Sequence, residues 1–312
     1  MGVPRLKLYF CDQHELPLPP GHKFPITKYR LIREILARDA RIQFAPSAFA
    51  PLAFIEQVHD KAYVKAFLSG VLDRAAIRRI GFPWSEGLVR RTLGSVGGTL
   101  AATRDAIEYG IGCNLAGGTH HAFRSEGAGF CVFNDLAVGA EWARRQCGLQ
   151  RIAIIDLDVH QGDGTAAIFE DDPGVYTLSL HGARNFPFRK QRSRCDMEFA
   201  DGTTDGEYLD VLERSLPAVW AFDPELIFFQ SGVDALAHDR LGRLSLSAAA
   251  IALRDRIVLE ETIARKIPVV ITLGGGYSDP IGHTVSAHAK TFQTTADMYV
   301  TASKALPAAL AI

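Results

Sequence analysis

The segment from Arg151 to Phe169, RIAIIDLDVHQGDGTAAIF, constrains the fold most, because an apolar run changes abruptly into a group of metal-ligating residue types. Ile152 to Ile155 is short, continuous and rich in isoleucine, which is typical of a strand buried on both faces of a parallel sheet. The aspartates and the histidine that follow it are Asp156, Asp158, His160 and Asp163.

Alternate side chains of an extended segment share one face, so Asp156, Asp158 and His160 point the same way if the strand geometry continues that far. Three such groups at one strand end indicate a metal site. The glycines of QGDG then allow a sharp turn before TAAIF, which begins a helix. A solvated acidic loop is the alternative, and this segment alone does not separate the two.

Charge and cysteine content exclude several classes of protein. Among 312 residues, 34 Lys and Arg balance 35 Asp and Glu, so nothing favours a nucleic-acid or anionic-membrane partner. The best local basic patch is Arg184 to Arg194, for which a solvated loop is the favoured interpretation. The cysteines are scattered, which disfavours disulfides and a thiolate zinc site. They are Cys11, Cys113, Cys131, Cys147 and Cys195.

The N-terminus lacks the apolar core of a signal peptide, and no apolar run has the length of a membrane span. We therefore expect a soluble, cytoplasmic protein. The first part of the chain predicts a strand at Leu6 to Phe10 and a loop at Ile80 to Leu88. Its predicted helices run from Thr27 through Arg38, from Lys61 to Leu68 and from Gly94 to Glu108.

From position 111 onward, apolar runs alternate with helical segments. The runs are Ile111 to Leu115, Ile152 to Ile155, Val175 to Leu180, Leu226 to Phe229 and Val269 to Leu273. The helical segments are Asp135 to Arg145, Tyr208 to Phe222 and Ser247 to Arg265. This rhythm predicts an α/β fold, a three-layer αβα sandwich around a mainly parallel sheet. Since no linker interrupts it, we expect residues 1–312 to form a single domain.

Four of the predicted strands end in reactive side chains. In open α/β sheets the ligand site lies beyond the carboxyl ends of the strands, so these side chains should converge. They are His120 and His121, the Asp156 to Asp163 cluster, Asp234, and Tyr277. Separately, each has an ordinary structural interpretation, such as a surface histidine pair, a helix cap or a turn aromatic.

Together they indicate a hydrolytic metal centre. Asp158, His160 and Asp234 leave coordination positions open, as in a catalytic site. Because two carboxylates offset the charge of a divalent ion, a separate base is expected. His120 and His121 suit that task.

Each of these histidines needs a carboxylate on its far nitrogen, and Asp156 and Asp163 are available for that. Tyr277, raised on a glycine-rich turn, is placed to donate its hydroxyl to a developing oxyanion.

These residues lie in motifs that resemble the zinc-dependent histone deacetylase superfamily over nearly the whole chain. The motifs are HKFPITKY, GFPWSEGL, GGTHHAF, GFCVFND, DLDVHQGDGT, SLH, SGVDAL, DRLGRLSLS and LGGGYS. The chain is most similar to class IV members and bacterial relatives. The resemblance implies Zn on Asp158, His160 and Asp234, with Fe(II) suiting the same ligands, and Tyr277 on the acyl carbonyl.

The resemblance also implies the remaining roles. His121, oriented by Asp163, is the general base and later the acid, and His120, paired with Asp156, acts electrostatically. The tunnel for the acyl-lysine stem is implied at Gly129, Phe130, Phe186 and Gly275. A structural potassium ion is implied at Asp156, Ser179 and Leu180.

The implied activity is removal of acetyl or long-chain acyl groups from lysine in a protein or peptide. Acetylpolyamines and other small amides are alternatives, with Glu86 or Asp12 as candidate gate carboxylates. The ureohydrolases share the fold, but Gly162 and Gly232 replace two of their second-metal ligands. A non-catalytic acyl-lysine binding module is disfavoured, because it needs neither a base nor an oxyanion donor.

Overall fold

One parallel sheet of eight strands forms the centre of the molecule, with the order β2-β1-β3-β8-β7-β4-β5-β6. This computed structural model describes the backbone of residues 5–305 and the side chains of residues 5–301. The strands are β1 (Leu6–Phe10), β2 (Ile42–Pro46), β3 (Ile111–Asn114), β4 (Ile152–Asp156), β5 (Val175–Gly182), β6 (Cys195–Phe199), β7 (Leu226–Gln230) and β8 (Val269–Thr272).

Helices cover the sheet in two groups that pack among themselves. The helices are α1 (Lys28–Leu36), α2 (Leu52–Ile55), α3 (Lys61–Leu68), α4 (Arg74–Ile80), α5 (Glu86–Tyr109), α6 (Asp135–Cys147), α7 (Asp163–Phe169), α8 (Asp205–Ala221), α9 (Ala248–Ala264) and α10 (Gly282–Ala305). α1, α8, α9 and α10 form one group, whereas α2, α5, α6 and α7 form the other. The predicted three-layer αβα fold with a parallel sheet is confirmed.

The structure adds two strands that the sequence did not predict, β2 and β6, and both are sheet edges. Each is partly exposed, so neither has the continuous apolar run by which the central strands were recognised. α10 was also missed. Its alternation of small, polar and apolar residues gives a weak helical pattern, although it packs against α1 and α9.

The predicted loop from Ile80 to Leu88 is wrong at both ends. α4 ends at Ile80, and α5 begins at Glu86, eight residues before the predicted start at Gly94. The Ser85 hydroxyl accepts a hydrogen bond from the Leu88 N–H and caps α5. The aromatic residues and glycines of IGFPWSEGL predicted a longer loop than the one that lies between the end of α4 and the start of α5.

The order of the central strands explains where a site can form. β3, β8, β7 and β4 are consecutive neighbours, so the carboxyl ends of the four strands with reactive side chains meet at one edge. Gly112 allows α5 to approach this region closely, since a Cβ there would lie 1.7 Å from the Ala102 carbonyl oxygen. Within residues 5–305, no helix has the length and apolarity to cross a membrane.

Candidate active site

The loop after β3 carries both histidines and is held by a single buried carboxylate. Asp135, at the start of α6, accepts hydrogen bonds from the backbone N–H groups of Gly118 and Thr119, at 3.2 and 2.7 Å. Its two oxygens also accept from the hydroxyls of Thr99 and Thr119. Because these donors come from α5 and from the loop, Asp135 fixes the position of the loop residues that precede His120 and His121.

His120 pairs with the carboxylate at the end of β4. Its Nδ1 lies 2.6 Å from Asp156 Oδ2, and both side chains are buried. Burial opposes a charge on this imidazole, but the charges of Asp156 and Asp158 outweigh it and raise the pKa of His120 to about 9. The neighbouring carboxylates therefore favour the cationic form of His120.

His121 has the opposite character, although it makes a similar pair. Its Nδ1 lies 2.6 Å from Asp163 Oδ1, at the start of α7. Burial and the charge of His120 lower the pKa of His121 to about 4, against the effect of Asp163. The imidazole is thus neutral at pH 7 and leaves its Nε2 able to accept a proton.

Asp158, His160 and Asp234 converge beside the two histidine pairs. One ligand atom from each lies within 4.8 Å of the others. His160 Nδ1 is 3.0 Å from Asp158 Oδ1 and 3.1 Å from Asp234 Oδ2. Burial and the charge of Asp158 raise the pKa of Asp234 to about 7. Two carboxylates this close and this buried require a positive charge between them.

These three residues fit a divalent metal ion. Their nitrogen and oxygen donors suit zinc or iron, and three protein ligands leave coordination positions open. Burial opposes a proton on His160, but its hydrogen bonds to the two carboxylates raise its pKa to about 10. The two carboxylates therefore favour a positive charge at this position, which a bound metal ion would supply.

The glycine turn after β8 brings Tyr277 next to this cluster. The ring centroid of Tyr277 lies 6.5 Å from that of His160. The turn is tied to the cluster because the Gly275 N–H donates to Asp158 Oδ2 at 2.7 Å. From the outer side, the Asp239 carboxylate accepts the Tyr277 N–H at 2.6 Å.

Two buried side chains support the same turn, and neither of them was predicted to have a role. Lys28 Nζ donates to the carbonyl oxygens of Gly274 and Gly276, at 3.0 and 3.4 Å. His288 Nε2 lies 3.1 Å from the Gly275 carbonyl oxygen. Burial lowers the pKa of Lys28 to about 8. The position of Lys28 in the HKFPITKY motif was the sequence signal that could have identified this residue.

Gln230 and Arg254 are further residues that the sequence interpretation missed. Gln230 Nε2 lies 3.2 Å from Asp158 Oδ2, and its Oε1 accepts the Gly232 N–H at 2.8 Å. Arg254 of α9 donates to the carbonyl oxygens of Leu157 and Gly232. Gln230 ends an otherwise apolar strand, which was a usable signal, whereas nothing distinguished Arg254 from a surface arginine.

A cavity of about 500 Å³ leads from the surface to this cluster, and His121, His160 and Tyr277 line it. Gly129, Phe130 and Phe186 also line it, where the resemblance implied a tunnel. Gly129 and Phe130 both adopt positive φ, at 53° and 66°. The ring of Phe186 meets that of His121 edge to face, with centroids 4.9 Å apart.

Gly275, the fourth residue implied for the tunnel, is not among the residues that line this cavity. It packs against the carboxylates of the cluster, where a Cβ would lie 2.0 Å from Asp234 Oδ2 and 2.6 Å from Asp158 Oδ2. The residues implied for potassium are neighbours in the sheet. Asp156 pairs with Ser179 between β4 and β5, and Leu180 follows it.

Comparison with known proteins agrees with this geometry. The histone deacetylase domain profile matches residues 22–292. An uncharacterised protein of Picosynechococcus sp. is 42% identical over 96% of this chain and 100% of its own length. The histone deacetylase-like amidohydrolase of Pseudomonas aeruginosa is 31% identical over 84% of this chain and 74% of its own. Histone deacetylase 2 of Arabidopsis thaliana is 38% identical, but the match spans 58% of this chain and 48% of the plant protein.

Solved structures give the same result. The crystal structure of an HDAC homologue complexed with SAHA superposes with a TM-score of 0.78, at 26% identity over 95% of this chain and 84% of that one. An HDAC homologue from Aquifex aeolicus has the same TM-score at 24% identity and shows the fold. The chain belongs to the histone deacetylase family and is a hydrolase with the arginase/deacetylase fold.

Proposed function

We propose that this protein hydrolyses the amide of acylated lysine side chains in a metal-dependent reaction. The observation that carries the proposal is the neutral, Asp163-paired His121, which lines the same cavity as His160 and Tyr277. A base, a cluster suited to a metal and a hydroxyl donor thus surround one space that opens to the surface. A protein that only binds acyl-lysine would need the cavity but neither the base nor the hydroxyl donor.

We propose zinc as the metal, held by Asp158, His160 and Asp234. When bound, such an ion polarises a carbonyl group and increases the acidity of water. A buried pair of carboxylates with one imidazole matches the ligand types that zinc takes in catalytic sites.

The side chains of this protein then divide the proton transfers. His121 Nε2 accepts a proton from the attacking water, while Asp163 holds the Nδ1–H and fixes the ring. The same Nε2 later gives the proton to the departing lysine amine. His120, kept cationic by Asp156, stabilises the negative charge that develops on the carbonyl oxygen. The Tyr277 hydroxyl donates a hydrogen bond to that oxygen.

We further propose a structural potassium ion beside β4 and β5. Asp156, the last residue of β4, pairs with Ser179 of β5, and Leu180 adds a backbone carbonyl. An oxygen-only donor set of this kind suits a hard cation rather than zinc. Such an ion would hold Asp156 in the position from which it pairs with His120.

Hydrolysis of an acetyl-lysine peptide tests the proposed function. Zinc-loaded protein should release the free lysine peptide, detected by mass spectrometry. His121→Ala should lower kcat by about 100-fold or more, the usual contribution of a general base. Tyr277→Phe should also lower kcat strongly, whereas Tyr109→Phe, at an exposed tyrosine, serves as the matched control. Full activity of Tyr277→Phe, or stoichiometric metal without turnover by the wild type, would contradict the proposal.

A further inference from the structure

The mouth of the active-site cavity is strongly basic. Its lining includes Lys23, Arg78, Arg79, Arg184 and Arg243, and within the described residues no aspartate or glutamate lines it. The cations come from four separate segments: the loop before α1, α4, the loop after β5, and the loop that follows β7. They surround the entrance instead of forming a single charged loop.

Three of these five cations have ion-pair partners, but they share only two carboxylates. Arg79 pairs with Glu126, and Arg184 and Arg243 share Asp201, at 3.6 and 3.1 Å. Five cations thus face two carboxylates, and the entrance keeps a net positive charge.

Two of the cations are free to meet a ligand. Lys23 and Arg78 are exposed, and neither has a hydrogen-bond or ion-pair partner in the part of the chain that the structure describes. Since unpaired cations at the mouth of a cavity raise the local concentration of anions, the entrance attracts negatively charged groups.

The carboxylates that were candidates for a gate are engaged elsewhere. Asp12 forms a two-pronged ion pair with Arg33 of α1. Glu86 pairs with Arg90 within α5, at 3.2 Å. Neither lines the cavity, so nothing in the described entrance compensates the positive charge of a polyamine.

An exposed aromatic edge lies beside the basic residues. Phe188 is 87% exposed, and its ring meets that of Phe186 with centroids 6.5 Å apart. Lys190 braces this segment by donating to the carbonyl oxygens of Asn185 and Pro187, at 2.6 and 2.8 Å. A braced, exposed phenylalanine next to cations suits a peptide chain, which offers apolar and charged side chains together.

We propose that the substrates of this protein are acyl-lysines whose neighbouring residues are acidic, recognised by the cations at the cavity mouth. This inference rests on the proposed function and specifies its substrate class. Lys23 and Arg78 attract the flanking carboxylates, while Phe188 contacts the peptide beside them. Acetylpolyamines are repelled by the same charges.

Three acetyl-lysine peptides with Glu, Gln or Lys at the flanking positions test this inference. We expect kcat/KM to be about tenfold higher with Glu than with Gln, which corresponds to about 1.4 kcal/mol, and lower again with Lys. The change should lie mainly in KM and should shrink as salt is added, because screening weakens exposed charge pairs. Equal hydrolysis of all three peptides would overturn the inference and leave the proposed function standing.

Charge reversal locates the effect. The double variant Lys23→Glu and Arg78→Glu should abolish or invert the preference while the Gln-flanked peptide is still hydrolysed. Arg38→Glu is the matched control. Arg38 is also exposed and follows α1, at the edge where the strands begin, opposite the cavity. A preference that survives the double variant unchanged would overturn the inference.

Binding provides a readout that does not require turnover. In fluorescence anisotropy, a labelled Glu-flanked peptide should bind about tenfold more tightly than the Gln-flanked one, whether or not either is hydrolysed. Equal affinities would contradict the inference. A single-stranded oligonucleotide of equal charge is the competitor. If it displaced the peptide more effectively than an unlabelled Glu-flanked peptide did, the surface would belong to a nucleic-acid partner and the inference would be overturned.

Discussion

The carboxylate of Asp239 accepts a hydrogen bond from the backbone N–H of Tyr277 at 2.6 Å. Its other oxygen accepts from the N–H groups of Leu241 and Gly242, so one half-buried side chain connects the loop after Asp234 to the turn that carries the tyrosine. Asp239 does not face the cavity. It therefore acts as a positioning residue for Tyr277.

Replacing Asp239 with Asn should lower kcat and leave KM nearly unchanged. An amide has one acceptor oxygen, so either the Tyr277 N–H or the 241–242 turn loses its partner. A hydrogen bond to a charged group contributes about 1.5–3 kcal/mol, so we expect a loss of about 10-fold to 100-fold in kcat. Steady-state kinetics measure it.

A double-mutant cycle with Tyr277→Phe provides the control for Asp239. If Asp239 acts through the tyrosine hydroxyl, Asp239→Asn should have little further effect in the Tyr277→Phe background. An undiminished effect there would show that the loss comes from a general disturbance of the loop.

Gly129→Ala should abolish activity without loss of the metal. Gly129 has a φ of 53°, and a Cβ there would lie 2.6 Å from Cδ2 of His121, so the added methyl group must displace the base. Gly148→Ala is matched for backbone strain, since φ is 74° and a Cβ meets no atom within 4 Å. We expect similar destabilisation in both variants but loss of kcat only in Gly129→Ala. Equal activities would show that His121 tolerates displacement.

The length of the acyl chain should be limited. A cavity of only about 50 Å³ lies against Phe24 and Phe130, whose ring centroids are 5.3 Å apart, and Phe130 also lines the active-site cavity. It accommodates an acetyl methyl more readily than a long chain, which would have to displace packed aromatic rings. We therefore expect higher kcat/KM for acetyl-lysine than for myristoyl-lysine in otherwise identical peptides. A preference for the myristoyl peptide would show that these rings move aside.

Acid should destabilise the fold partly through His59. This buried imidazole donates from Nδ1 to the Phe123 carbonyl and accepts the Asn134 N–H at Nε2, both at 2.9 Å, so only its neutral form fits. Burial lowers the pKa of His59 from 6.5 to about 4. Because the folded-state pKa lies below the unfolded one, the stabilisation is present above pH 6.5 and is lost as the pH falls towards 4.

The free energy of unfolding, measured with urea near pH 7 and near pH 4.5, tests the role of His59. His59→Gln cannot titrate, so the wild type should lose about 2–3 kcal/mol more than the variant over this range. Identical losses would show that His59 does not titrate as its contacts require. Asn134 also donates to the Ala122 carbonyl, so the titration should extend to the loop that carries His121.

Much of the site could be predicted because it depends on topology. Residues at the carboxyl ends of adjacent parallel strands must meet, so the sequence alone predicts that His120, His121, Asp158 and Asp234 lie together. The central strands were recognisable since burial on both faces leaves a continuous apolar signature. Sheet edges and α10 lack such a signature.

The supporting residues could not be predicted in the same way. Lys28 and Asp239 act through backbone atoms of the turn before Tyr277, and Lys28 is more than 240 positions away from it in sequence. No local pattern encodes such contacts. The basic entrance of the cavity could not be predicted for the same reason. Its cations Lys23, Arg78 and Arg243 are far apart in the sequence, and the total charge of the chain is close to zero.

The most direct test of the central claim is metal titration of the chelator-treated protein with an acetyl-lysine peptide as substrate. We predict that hydrolysis is absent without metal, rises in proportion to added Zn²⁺ and reaches its maximum at about one ion per chain, the occupancy expected for a single three-ligand catalytic site. Asp234→Ala should show neither binding nor hydrolysis at these concentrations. Full hydrolysis by protein that elemental analysis shows to be free of metal would contradict the account.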